Sequence, residues 1–239
     1  IYHTGDWPHE GVDFTGKRVG VIGTGSSAIQ SIPLMAEQAD QLTVFQRTAT
    51  FTVPAANRPV TANERRATKR SYTQLRAQAR RSHTGVLLEP AIGAYGEVEE
   101  RIVRGELERR WRGAGFGTTG VLSDNLRSIE ANNYTSQFVR DKINENVDDP
   151  AVAKLLEPHD YPIGTKRLAL DTNYYDTYNR ENVKLVSVRN TPIERFSPAG
   201  IVVDGQEYEF DAIVLATGFD AATGALDRIH IEGLDGRTL

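Results

Sequence analysis

The stretch Lys17-Arg18-Val19-Gly20-Val21-Ile22-Gly23-Thr24-Gly25-Ser26-Ser27-Ala28 decides the fold. Lys17–Ile22 is a short apolar run that stops at glycine, as a strand buried in a parallel sheet does. Ser26–Ala39 then carries apolar residues at 28, 29, 32, 35, 36 and 39, one face of a helix laid on a sheet. Pro33 sits inside that helix and is expected to bend it. Leu42-Thr43-Val44-Phe45 reads as the second strand. A strand, a Gly-x-Gly-x-x-Ala turn and a helix in that order predict a dinucleotide-binding βαβ unit. Gly23 permits the tight turn, Gly25 lets the backbone approach a pyrophosphate, and Ala28 allows close helix–strand packing. The backbone amides and the positive helix end attract phosphate, so Gly23, Thr24, Gly25, Ser26 and Ser27 are the predicted cofactor contacts.

The end of the second strand selects the dinucleotide. An NAD site places Asp or Glu there for the ribose 2′-hydroxyl. Here Gln46-Arg47-Thr48 stands in its place. A guanidinium binds a 2′-phosphate in a bidentate fork and a carboxylate repels it, so NADP is expected. Lys166-Arg167, after Tyr161-Pro162-Ile163-Gly164-Thr165, is a second pair of candidate cations, one able to reach the 2′-phosphate while its neighbour points toward a redox centre.

Working outward, residues 55–160 change in character to charged and helical. Thr61-Ala62-Asn63-Glu64 has capping-box spacing and opens a helix rich in Arg and Lys. Residues 84–96 read as a loop. Glu97–Arg112 and Asp124–Val147 read as amphipathic helices, with Phe138, Val139, Ile143 and Val147 on one face of the second. Asp149-Pro150 reads as an N-cap and first-turn proline. Strands return with Val183–Val188, a hairpin at Asp204-Gly205, and the apolar run Asp211–Leu215. The expected architecture is α/β: a Rossmann-like domain over 1–54 and 161–239, a helical insertion over 55–160, and a three-stranded antiparallel excursion.

Composition bounds the function. The chain has 239 residues, 39% hydrophobic and 25% charged, with formal net charge -4, so it has no overall pull toward nucleic acid or anionic membrane. With no cysteine, disulfides, thiolate metal sites and a cysteine nucleophile are excluded. The five histidines (3, 9, 83, 159, 230) lack metal spacing and no metal is expected. The basic helix at 65–81 lacks interleaved aromatics and reads as a solvated face rather than a nucleic-acid surface. No run approaches a membrane span, and a cytoplasmic location is expected.

With these residues in place, the sequence resembles the type I Baeyer–Villiger monooxygenases, and looks close to their phenylacetone and steroid branch. Their fingerprint is Phe-x-Gly-x-x-x-His-x-x-x-Trp-Pro, of which His3 to Trp7-Pro8 matches the second half. Val44-Phe45-Gln46-Arg47-Thr48, Gly164-Thr165-Lys166-Arg167 and Leu215-Ala216-Thr217-Gly218-Phe219-Asp220 match further family motifs. The resemblance implies a flavoprotein with two dinucleotide-binding domains, holding FAD in one and NADPH in the other, with ketone and O2 as substrates and an ester or lactone as product. It implies that Arg47 and Lys166 hold the 2′-phosphate with Thr48 alongside. Arg167 would be the catalytic arginine that stabilises negative charge on the oxygenated flavin. His3, Trp7 and Pro8 would form a linker that coordinates domain movement, and Thr217-Gly218 would lead back into the FAD domain.

The FAD-binding glycine turn and the first half of the fingerprint have no match here, and residue 1 is Ile rather than Met. An internal piece of a larger enzyme is therefore expected, with the FAD domain as its intramolecular partner. By itself it is expected to bind NADP(H) weakly and not to turn over. A flavin monooxygenase of N- or S-oxidising type is the enzymatic alternative. A non-catalytic NADP-binding module is the other.

Overall fold

The computed structural model describes residues 1–82, 85–219 and 224–238. The chain runs β1 (Tyr2–His3), β2 (Arg18–Ile22), α1 (Ser26–Gln38), β3 (Gln41–Gln46), β4 (Thr52–Pro54), α2 (Ala62–Arg81), α3 (Glu100–Gly113) and a 3-10 turn at Gly115–Gly120. It continues through α4 (Ile129–Asn146), α5 (Pro150–Leu156), β5 (Ala169–Asp171), a 3-10 turn at Asp176–Asn179, β6 (Val183–Ser187), β7 (Ile193–Phe196), β8 (Gly200–Val203), β9 (Gln206–Glu209), β10 (Ala212–Leu215) and α6 (Gly224–Asp227). Two compact units result. Ile1–Ser31, Met35–Arg47 and Asn182–Leu239 form the first, and Ile32–Leu34 with Thr48–Glu181 form the second.

The first unit is built on a five-stranded, all-parallel sheet in the order β6-β3-β2-β10-β1. Counting from β2, its four main strands follow the 3-2-1-4 order of dinucleotide-binding folds. Side chains alternate across the sheet, so Val19, Val21, Leu42 and Val44 share one buried face while Ile22, Phe45, Ile213 and Leu215 share the other. The antiparallel meander β7-β8-β9 covers the second face: Ile201, Val203, Tyr208 and Phe210 pack with Phe45, Val188 and Ile213. A meander thus stands where a doubly wound sheet carries a helix. Its tight turn forms at Asp204-Gly205, both at positive φ (+54 and +70), as the Asp-Gly signal requires.

The second unit gathers around Phe51, Val103, Leu107, Val121, Leu122, Ala131, Phe138, Val139 and Ile163. Its boundaries fall outside the 55–160 segment read from sequence. The cause is β4, which pairs in parallel with β5 through Thr52↔Ala169 and Pro54↔Asp171 and so draws both flanks of the insertion into this unit. Helix starts also shift. Helix α4 opens behind Ser128 rather than at Asp124, the Ser128 hydroxyl accepting from Ala131 N at 3.2 Å, and α3 begins at Glu100 rather than Glu97. The capping box of α2 forms as read, with Thr61 N and Glu64 N bonded reciprocally to the Glu64 and Thr61 side chains. None of the residues of α2 is buried. Among the described residues, no helix is long and apolar enough to cross a membrane.

Candidate dinucleotide site

The sheet grows from β2 through β3 to β6 on one side and then returns to β10 on the other side of β2, so the crevice beyond the carboxyl ends of β2 and β10 is the switch point where open α/β sheets bind ligands. Gly23 enters that crevice with φ +110, and a Cβ there would stand 2.4 Å from Ala216 O. Gly23 N donates to Phe45 O at 3.0 Å and Ala216 N donates to Ile22 O at 2.9 Å, fixing the turn against both neighbouring strands. Two residues on, Gly25 is exposed, and a Cβ there would meet nothing within 4 Å. Gly25 is also the N-cap of α1, with no side-chain cap and no acidic residue in the first turn. The positive end of this 13-residue helix thus carries no N-cap side chain and has open space beside Gly25, the environment a phosphate anion requires.

The other predicted residues of this unit collect at the same sheet edge. Thr24 is buried, Ser26 is exposed and Ser27 is partly buried. Arg47 is exposed one residue beyond β3, whose Phe45 is in register with Ile22. Thr217 and Gly218 are exposed beyond β10, Gly218 at φ +96. Asp220 of that motif lies outside the described residues, as does His83. The Trp-Pro linker belongs to this edge too. His3 is a strand residue paired with Leu215, and its ring meets Phe219 edge-on at 6.4 Å. Its Nδ1 accepts from Gly5 N at 3.0 Å. Trp7 packs on Tyr2 and Phe14 at 5.9 and 6.2 Å, and Pro8 follows it.

Thr48, Lys166 and Arg167 lie in the second unit. Lys166 and Arg167 are exposed in the turn before β5. Sequence reasoning missed what holds that turn. The buried Asn132 amide donates to Asn125 O and Ile163 O, both at 2.9 Å, and accepts from Ile163 N at 3.0 Å. Tyr161, at its start, carries the Lys166 ammonium over its ring. Neither residue had a local signal, because each acts through partners distant in sequence. A separate cleft of about 780 Å³ between α3 and α4, lined by Glu100, Arg101, Arg104, Tyr134, Gln137 and Phe138, contains none of the predicted residues.

No family model matches the chain. A solved structure of oxidised steroid monooxygenase bound to NADP superposes on all of it with TM-score 0.96 at 50% identity, and the chain covers 46% of that structure. A Baeyer-Villiger monooxygenase of Pseudooceanicola batsensis is 40% identical over 246 residues, matching 100% of this chain and 44% of that protein. Over its whole length the chain is similar to Baeyer–Villiger monooxygenases. It is also 41% identical over 242 residues to the 2-oxo-Δ3-4,5,5-trimethylcyclopentenylacetyl-CoA monooxygenase of Pseudomonas putida, covering 98% of this chain and 44% of that protein. Phenazine N-monooxygenase PhzNO1 of Lysobacter antibioticus is 38% identical over 242 residues, with coverage of 100% and 44%. The chain thus spans less than half the length of each of these relatives.

Proposed function

We propose that this chain is the NADP(H)-binding portion of an FAD-dependent Baeyer–Villiger monooxygenase that inserts one atom of O2 into a ketone to give an ester or lactone. The observation that carries this reading is the uncapped, acid-free helix start behind Gly25, set in a chain half identical along its whole length to a steroid monooxygenase bound to NADP. Backbone amides from Gly25 to Ser27 hold the pyrophosphate, with Gly23 and Thr24 shaping the turn. Arg47, flanked by Thr48, binds the 2′-phosphate, and Lys166 supplies a second cation to it. Arg167 supplies fixed positive charge to the redox centre, a role in which a pre-oriented guanidinium stabilises developing negative charge without reorganisation. The Thr217-Gly218 segment and the His3–Pro8 linker lead to the part of the protein that holds FAD, which we place outside this chain. When bound, nicotinamide and flavin supply hydride transfer and oxygen activation.

N-oxidation is a second reading, favoured by the similarity to phenazine N-monooxygenase. The two separate in one assay. The whole protein, loaded with FAD and NADPH under labelled O2, is offered a ketone and an aromatic N-heterocycle. Ester or lactone carrying one labelled oxygen is the expected product, and N-oxide as the sole product would overturn the ketone reading.

A further inference from the structure

Tyr161 stands where the turn before Lys166 meets the segment after Thr48. Its hydroxyl donates to Ala49 O at 3.2 Å and accepts from Phe51 N at 3.3 Å. Its ring meets Phe51 edge-on at 5.6 Å. The Lys166 ammonium sits over the ring, 4.2 Å from its centroid. Burial pushes the Tyr161 hydroxyl above its ordinary pKa, so the ring is a neutral phenol at physiological pH. Between the two residues the chain is closed tightly. Pro162 O accepts from Thr165 N at 3.2 Å and from Thr165 Oγ1 at 2.8 Å, and Asn132 grips Ile163 on both of its backbone groups.

These contacts fix Lys166 at both ends. The clamped turn sets its Cα, and the ring sets its nitrogen. A lysine on an exposed turn otherwise spreads its charge over many rotamers, and ordering it costs affinity when a ligand arrives. A cation–π contact leaves N–H donors of the ammonium directed away from the ring, so the held charge still serves an anion. The hydroxyl anchors the ring to backbone just two residues beyond Arg47 in sequence.

We propose that Tyr161 is a positioning residue that presents the Lys166 ammonium to the 2′-phosphate of NADP(H), and so contributes to discrimination between NADP and NAD. This rests on the reading of Lys166 as a phosphate ligand. The test is equilibrium binding of NADP+ and NAD+ to the full chain and to Tyr161→Leu, Tyr161→Phe, Lys166→Ala and the Tyr161→Leu/Lys166→Ala double variant. Tyr161→Leu is expected to lower the NADP+/NAD+ affinity ratio by about three- to fivefold, the range of an exposed cation–π contact. Tyr161→Phe, which keeps the ring, is expected to hold the ratio within about twofold of the parent. The double variant should match Lys166→Ala alone, because the ring acts only through the ammonium. Equal weakening of both nucleotides by Tyr161→Leu would reduce Tyr161 to a structural residue and overturn the proposal. So would a loss in Tyr161→Phe as large as that in Lys166→Ala, which decides the matter even if the leucine variant does not fold. A ratio unchanged in Lys166→Ala, with Tyr161→Leu still selective, would instead remove Lys166 from the phosphate site and overturn this proposal with it.

Discussion

Gly23→Ala is expected to abolish dinucleotide binding and to lower the melting temperature by about 5–12 °C, whereas Gly25→Ala is expected to lose binding with little loss of stability. The difference follows from what each new methyl group would meet. At Gly23 it would lie 2.4 Å from Ala216 O and 3.0 Å from Ala216 C, at φ +110 where L side chains are strained. The carbonyl has nowhere to go, because Ala216 N is bonded to Ile22 O and Gly23 N to Phe45 O. Relief requires the ends of β2 and β10 to part, at a cost on the order of 2–4 kcal/mol. At Gly25 φ is -82 and the space is open, so alanine fits the fold and only a ligand would collide with it. Thermal melts and nucleotide titration of the two variants check this. A Gly23→Ala protein that melts with the parent would contradict the switch-point geometry.

The second large effect belongs to Arg110, a residue with no proposed role in chemistry. It is 4% exposed and binds in four directions. Its Nε donates to Glu106 Oε1 at 2.7 Å, Nη1 donates to Glu89 O and Gly117 O at 3.3 Å each, and Nη2 donates to Pro90 O at 2.6 Å. Replacement by methionine keeps the stem but takes the donor from three carbonyls and leaves Glu106 with Arg109 as its guanidinium partner, at a cost on the order of 2–4 kcal/mol. Lysine rescues only part of this, because one ammonium cannot reproduce the fork. The same cluster gives a pH signature. Arg109, and after it Arg110, hold the Glu106 carboxyl down at about 2. A depressed carboxylate stabilises the fold fully above its unfolded pKa, near 4.5, and ceases to do so as pH falls toward 2. The stability lost in Glu106→Gln is therefore expected to be full at pH 7 and to shrink between pH 4.5 and pH 2. Trp111 emission, in a Trp7→Phe background, reports the second unit alone, since these are the two tryptophans of the chain. A Glu106→Gln penalty that grows on acidification would refute the assignment.

Local signals were legible in both units. The glycine turn, the apolar strands, the Thr61–Glu64 box and the Asp204-Gly205 hairpin are each written within a few consecutive residues, and each formed where the sequence placed it. The losses came where structure depends on distant partners. Strands β4 and β5 are three residues long and carry no periodicity, and only their mutual pairing across more than a hundred residues makes them strands. That pairing moved the unit boundary. Arg110 sits in Glu-Arg-Arg-Trp-Arg, a run that reads as a solvated face until the loop at 89–90 closes over it. Asn132 and Tyr161 were invisible for the same reason: an Asn in a helix and a Tyr in a turn acquire meaning only from Ile163, Ala49 and Phe51. Ala114 is a further case, held at φ 64 and ψ 174, a conformation that sequence would assign to glycine.

As proposed, the β2–α1 turn and the residue after β3 bind a 2′-phosphorylated dinucleotide. Titration of NADP+ and NAD+ against the parent chain and Arg47→Ala tests it most directly. NADP+ is expected to bind at least about tenfold more tightly than NAD+, and Arg47→Ala to remove on the order of 1.5–3 kcal/mol from NADP+ binding alone. Equal affinity of the parent for the two nucleotides, or an unchanged ratio in Arg47→Ala, would contradict it.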